Sequence, residues 1–106
     1  MDKPKIELNG KEYEMKEPKG KAWRTFSELH EKRAEIPNVE FLERHAEVIA
    51  QNFDGLTTDD ILEQMDISKI IPTFYECYRY IGSILYGVSE KLESIEGDGK
   101  TVGVEV

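Results

Sequence analysis

The fold is decided by the stretch Lys5-Ile6-Glu7-Leu8-Asn9-Gly10-Lys11-Glu12-Tyr13-Glu14-Met15. Apolar and polar residues alternate on both sides of Asn9-Gly10. Because that dipeptide tolerates the two positive φ values of a type I′ turn, the pattern predicts a β-hairpin over about residues 5–15. A lone hairpin is only marginally stable in water. We therefore expect this one to lie on a helix of its own chain or to pair its edge with another chain.

A helical pattern begins soon after the hairpin. Pro18 and Gly20 interrupt regular structure, and apolar residues then recur at three- and four-residue steps over about residues 21–35. Pro37 ends this first helix, since the residue before a proline is pushed out of the α region. Trp23 and Phe26 lie at helical spacing, which is more typical of a core, although a partner-binding hot spot is the alternative.

Two shorter helical segments follow Pro37. Asn38 is a good N-cap residue for a second helix, which Asp54-Gly55 should end. A third helix should begin at Thr57 or Thr58 with a capping-box spacing. The residues expected to be buried on these two segments are Phe41, Leu42, Ala46, Ile49, Phe53, Ile61, Leu62 and Met65.

The last helix is predicted to be the longest, with Asp66 or Ser68 as its cap. Its apolar residues step by four and three like a heptad seam. Two interpretations stay open: a central helix packed on the three shorter ones, or a face for self-association. The seam consists of Ile67, Ile71, Phe74, Tyr78, Ile81, Leu85, Val88, Leu92 and Ile95.

These elements predict a mainly α fold with a small N-terminal β-hairpin (α+β) and about four helices. We expect residues 1–96 to form a single domain, since a chain of 106 residues supports one modest core. Residues 97–106 are rich in glycine, which disfavours a helix, and are predicted to be a flexible tail able to add a strand to a neighbour.

The charge is acidic and unevenly spread. The net charge is −8; residues 1–37 carry nine Lys or Arg against eight Asp or Glu, and the remainder carries five against fourteen. A phosphate backbone requires clustered Lys or Arg, so we expect no nucleic-acid partner. An acidic surface favours solubility and basic partners. No run of about 18 apolar residues is present, and we expect a cytoplasmic protein with no membrane partner.

The sequence offers no set of residues suited to catalysis or to binding a metal or cofactor. Cys77 lies in an apolar helical stretch and is expected to be a buried thiol rather than a nucleophile. His30 and His45 have no second ligand at metal-binding spacing, so both are expected to be solvated surface histidines. We expect a non-catalytic protein without a cofactor.

The order of elements resembles the tail assembly chaperones of long-tailed bacteriophages and of prophages in Gram-positive bacteria. The resemblance covers about residues 5–95 and is carried by the hairpin, by Lys21-Ala22-Trp23-Arg24, by the run from Phe41 to Ala50, by Thr58-Asp59-Asp60-Ile61-Leu62 and by the long last helix. It implies a protein made during virion assembly and absent from the finished tail. It also implies that the chain coats the tape measure protein, recruits the major tail protein and forms homo-oligomers.

Two sets of candidate residues follow. Those for self-association are Ile6, Leu8, Tyr78, Ile81, Leu85 and Val88. Those for binding a client protein are Glu40, Glu43, Glu47 and Trp23. An acidic helical protein suits a long, basic client, since complementary charge raises the encounter rate. The alternative is a small acidic regulatory interaction domain, similar to an anti-repressor, that dimerises through its C-terminal helix.

Overall fold

The computed structural model describes residues 2–87 and confirms a mainly α fold with an N-terminal hairpin. The last of its four α-helices is the longest, as predicted. A short 3₁₀ turn, Arg33–Glu35, follows the first helix. The elements in chain order are β1 (Lys5–Leu8), β2 (Lys11–Glu14), α1 (Gly20–Lys32), α2 (Asn38–Gln51), α3 (Thr58–Gln64) and α4 (Ile67–Leu85).

The hairpin forms where the Asn-Gly dipeptide predicts it. Asn9 and Gly10 both have positive φ, 52° and 81°, as a type I′ turn requires. Leu8 is paired with Lys11 across the two strands. Burial alternates along β1, and Tyr13 is the buried residue of β2, which places Ile6, Leu8 and Tyr13 in the core.

The hairpin is anchored to the C-terminal end of α2. Met15 forms an isolated antiparallel bridge with Phe53. The backbone N–H of Lys16 donates to the carbonyl oxygen of Asn52 at 2.8 Å. The hairpin therefore lies on helices of its own chain, the first of the two arrangements expected from the sequence.

The longest helix, α4, packs against both α1 and α2. Its fully buried residues are Ile70, Phe74, Cys77 and Ile81. At about 100° per residue, the centre of this buried face is rotated by roughly 50° from the predicted seam. Ile67 is consequently 69 % exposed and Leu85 50 % exposed. The predicted positions Val88, Leu92 and Ile95 lie outside the described residues, as does the tail 97–106.

Two helix boundaries differ from those expected. Pro37, with φ −59° and ψ 144°, holds the N-cap position of α2, and Asn38, expected to be the cap, is the first helical residue. The helix ends at Gln51, before Asp54-Gly55.

The capping box predicted at the start of α3 is formed. The Thr57 side chain accepts a hydrogen bond from the backbone N–H of Asp60 at 3.0 Å, and the Asp60 side chain accepts one from the backbone N–H of Thr57 at 3.1 Å.

None of the helices within residues 2–87 combines the length and apolarity needed to cross a membrane.

Candidate protein-binding site

A groove lies between α1, α2 and the segment that connects them. It is an open cleft of about 400 Å³. Its apolar floor is supplied by Leu29 of α1, Val48 of α2 and Ile36 of the connecting segment. We call it the α1–α2 groove. Its full lining is Thr25, Glu28, Leu29, Lys32, Glu35, Ile36, Pro37, Arg44, Glu47, Val48 and Gln51.

The margins of this groove are charged, with acids in excess. Glu28 and Glu35 border it on the α1 side together with Lys32, and Glu47 borders it on the α2 side with Arg44. An apolar floor between charged margins is the arrangement that receives an amphipathic helix, whose apolar stripe is flanked by polar residues.

The predicted acidic candidates lie together on α2. Glu40, Glu43 and Glu47 are separated by three and four residues, so they share one face of the helix. Glu43 and Glu47 are exposed. Glu40 accepts a hydrogen bond from Arg44 at 2.9 Å, and this pair is partly exposed, so it adds little to stability. We call these three glutamates the acidic ridge; its Glu47 forms part of the groove margin.

Trp23 lies away from the acidic ridge. Its half-buried indole contacts α4, with ring centroids 5.1 Å from Tyr78 and 5.8 Å from Tyr86. A Cβ atom placed on Gly82 would stand 3.5 Å from this indole. The α1 residues that line the groove are on another face of the helix. The four predicted client-binding residues thus form no single surface.

The predicted self-association residues are mostly used within the chain's own core. Ile6, Leu8 and Ile81 are buried. Tyr78 is half-buried, and its hydroxyl donates to Ser27 Oγ at 3.0 Å. Leu85 keeps half of its surface exposed. Val88 falls beyond the part of the chain that the structure describes.

The prediction of two solvated histidines is wrong. His30 is partly buried, with its Nδ1 2.9 Å from the Tyr75 hydroxyl. His45 is completely buried. Its ring lies 4.6 Å from that of Phe41 and 4.7 Å from that of Phe74, between centroids. His45 lies four residues from both Phe41 and Ile49, so it falls on the apolar face predicted for α2, and that face is buried.

Burial determines the protonation of His45. It lowers the pKa of the imidazole below its ordinary value of 6.5. The hydrogen bond to the Phe41 carbonyl opposes this change, and the nearby positive charge of Arg33 adds to it. The ring is therefore held neutral near pH 7. Among residues 2–87 there is no group of three His, Cys, Asp or Glu side chains placed to hold a metal ion.

Cys77 is fully buried, as expected. Burial raises the pKa of its thiol to about 12, and the negative charge of Glu76 contributes in the same direction. Because the thiolate is the reactive form, this thiol is unreactive at neutral pH.

Sequence reasoning missed the α1–α2 groove. Leu29 falls within the apolar repeat predicted for about residues 21–35, but the involvement of Ile36, Val48 and Arg44 depends on how the two helices are spaced. The sequence nevertheless contains one indication of the groove. Val48 widens the apolar face of α2 beyond what packing against one neighbouring helix requires. Such a broad apolar face indicates contacts on two sides.

A family model described as phage tail chaperone protein matches residues 1–97 of this chain. None of the curated proteins and none of the solved structures gives a match.

Proposed function

This chain belongs to the phage tail chaperone family, and we propose that it binds an amphipathic helix of the tape measure protein in the α1–α2 groove while the tail is assembled. Membership of the family implies interaction with tail proteins. The choice of the tape measure protein, and of the groove as its binding site, is our proposal. The observation that carries it is the apolar floor of Leu29, Ile36 and Val48 between charged margins.

The shape of the groove favours a helix as the bound element. A client helix would place apolar residues spaced by three and four positions on the floor. Its polar flanks would then meet the margins formed by α1 and α2. A monomeric protein leaves an apolar depression open mainly where something binds.

The charge of the groove favours a client helix with basic flanks. Three glutamates, Glu28, Glu35 and Glu47, line the groove, against two cations, Lys32 and Arg44. Arg44 is engaged by Glu40. Complementary charge accelerates encounter and rejects acidic partners. Glu40 and Glu43 are outside the lining but share the α2 face of Glu47, so they add negative charge to that side of the groove.

The remaining parts of the proposed role are based on membership of the phage tail chaperone family. In our proposal the chaperone shields the tape measure protein in the host cytoplasm, helps to recruit the major tail protein, and is not retained in the finished virion. It acts by binding, without chemical turnover. We also propose that it works as a homo-oligomer; Leu85, with its neighbours Ile84 and Tyr86, leaves about half of each side chain exposed at the end of α4.

Co-expression with overlapping fragments of the tape measure protein from the same phage or prophage tests this function. The chaperone should keep at least one fragment soluble and should be recovered with it. Ile36→Asp introduces a charge into the groove and should abolish recovery. Val39→Asp makes a similar change three residues away, at a side chain that is 86 % exposed and outside the groove, and should have no effect.

Far-UV circular dichroism of both variants verifies that they fold. If wild-type protein binds no fragment, the tape measure protein is not its client. If fragments bind equally well to Ile36→Asp, the client is right and the groove is the wrong site.

A further inference from the structure

The turn of the hairpin determines which backbone groups of β1 face outward. A two-residue turn is flanked by a hydrogen-bonded pair, here Leu8 with Lys11, and such pairs alternate along an antiparallel ladder. Ile6 and Tyr13 form the next hydrogen-bonded pair. The N–H and C=O groups of Lys5 and Glu7 therefore point away from β2.

The outer edge of β1 is open in the structure. Within residues 2–87, the backbone groups of Lys5 and Glu7 form no hydrogen bond outside the hairpin. Beside them lies a groove of about 520 Å³, which leaves space next to the strand. Its far wall belongs to the junction between α3 and α4. That wall is lined by Gln64, Met65, Asp66, Lys69 and Thr73.

We propose that β1 pairs antiparallel with β1 of a second copy, around a two-fold axis at Ile6. In this register Lys5 lies opposite Glu7 of the partner copy, and Glu7 lies opposite its Lys5. Both pairs are hydrogen-bonded positions, so the two strands exchange four backbone hydrogen bonds. Both pairs also join opposite charges, which stabilises cross-strand neighbours. The hairpins of the two copies then form a four-stranded sheet.

The charge pattern selects this pairing over the other ways of joining two hairpins. Pairing β2 with β2 around Tyr13 sets Glu12 opposite Glu14 twice, which joins like charges. Pairing β1 with β2 of another copy in the hairpin's own register sets Glu7 against Glu12. Only the β1–β1 arrangement gives two opposite-charge pairs and no like-charge pair, because its strand reads Lys-Ile-Glu about its centre.

This interface is separate from the α1–α2 groove and requires no client. It is an isologous contact, so it produces a closed two-fold dimer rather than an open chain. The dimer is a unit from which larger assemblies can be built through other surfaces. Its test uses the purified protein alone, so its outcome is independent of whether the tape measure protein binds.

A charge-exchange experiment examines the pairing directly. Lys5→Glu places two acids opposite two acids in the dimer, and Glu7→Lys places two lysines opposite two lysines. Each variant alone should dimerise more weakly than wild type in sedimentation velocity. Mixed in equal amounts, the two variants should form a heterodimer, because every pair then joins opposite charges. Only a β1–β1 contact restores both pairs in this mixture.

A proline pair tests the backbone contribution. Glu7→Pro removes an outward N–H of β1 and with it two of the four intermolecular hydrogen bonds, so dimerisation should weaken roughly tenfold or more. Glu12→Pro is the matched control: it removes an outward N–H and a carboxylate from the other edge of the same hairpin. This control should dimerise like wild type. Circular dichroism and thermal melting verify that each variant is folded.

Three outcomes would overturn the proposal. A wild-type chain that remains monomeric at high micromolar concentration excludes the dimer. A mixture of the two charge variants that associates no better than either alone excludes the β1–β1 register. Loss of dimers in a folded Leu85→Asp variant, with Glu7→Pro unaffected, assigns self-association to α4.

Discussion

His45 donates from its Nδ1–H to the carbonyl oxygen of Phe41 at 2.7 Å. Its Nε2 is buried and has no hydrogen-bond partner within residues 2–87. The carbonyl can only accept, so Nδ1 carries the proton and Nε2 is the bare nitrogen of a neutral ring. A second proton on Nε2 would place a charge among Phe41 and Phe74, away from water, and that costs free energy.

We expect the protein to lose stability as the pH falls below about 6.5 because of His45. The folded state holds the pKa of this imidazole below its ordinary value of 6.5. Above that pH the ring is neutral in both states, and its full contribution to stability is present. Below it the unfolded chain binds a proton that the folded chain resists. The free energy of unfolding should then fall by up to about 1.4 kcal/mol per pH unit, as measured by urea unfolding between pH 7.5 and 5.5.

Two variants isolate the contribution of His45. His45→Met fills the same site without a titrating group, so stability should change much less with pH over this range. His30→Gln removes the other histidine and should keep the wild-type dependence. An unchanged slope in His45→Met would show that another group causes the loss.

Local sequence signals predicted most of the secondary structure. Asn9-Gly10 determines the hairpin because few residues accept two successive positive φ values. Thr57 and Asp60 determine the start of α3 because the reciprocal bonds depend only on a three-residue spacing. The burial of Cys77 follows from its place among apolar neighbours at helical spacing.

The features that the sequence did not predict depend on how the helices pack against one another. The buried face of α4 is rotated from the predicted seam because α1 and α2 share its surface between them, and Ile67 is left exposed. The position of Trp23 depends on how neighbouring helices approach. The burial of His45, in contrast, agrees with its spacing of four residues from Phe41 and from Ile49. The α1–α2 groove is lined by residues of two helices and their connection, and no pattern within one helix specifies how those elements are spaced.

Gly10 should be more sensitive to alanine than Gly20, although open space surrounds both. No heavy atom lies within 4 Å of a Cβ placed at either position, but only Gly10 has a positive φ, 81°. Gly10→Ala should therefore cost about 1–2 kcal/mol. Gly20→Ala, at the start of α1, should be neutral or stabilise by up to about 1 kcal/mol. Chemical denaturation of both variants measures the difference, and equal effects would contradict the role of the turn.

Thr57→Ala should destabilise the protein by about 1 kcal/mol, because it removes the acceptor for the Asp60 backbone N–H at the start of α3. Thr58→Ala is the neighbouring control. Thr58 is the first helical residue and makes no side-chain hydrogen bond in the described region, so its loss should have a smaller effect. Thermal melting compares the two, and a larger effect at Thr58 would argue against the capping box.

Binding of the tape measure protein should depend on the charge of the acidic ridge. Glu43→Lys with Glu47→Lys reverses two exposed charges and leaves the Glu40–Arg44 pair intact. Neither side chain is buried, so the fold should survive. Association with a basic client fragment, followed by stopped flow, should slow roughly tenfold at low salt. Glu63→Lys with Glu76→Lys changes the net charge equally, at exposed sites on α3 and α4 outside the groove lining, and should slow it much less.

The same prediction applies to the dependence of the association rate on salt concentration. Exposed charges are screened beyond about 8 Å at physiological ionic strength. Raising the salt concentration should therefore slow wild-type association towards the rate of the Glu43→Lys, Glu47→Lys variant, which should itself change little. Dissociation should be nearly independent of salt, because contacts with Leu29, Ile36 and Val48 are apolar and are not screened. If salt left the wild-type association rate unchanged, or if both double variants slowed it equally, the acidic ridge would not be the surface that the client first meets.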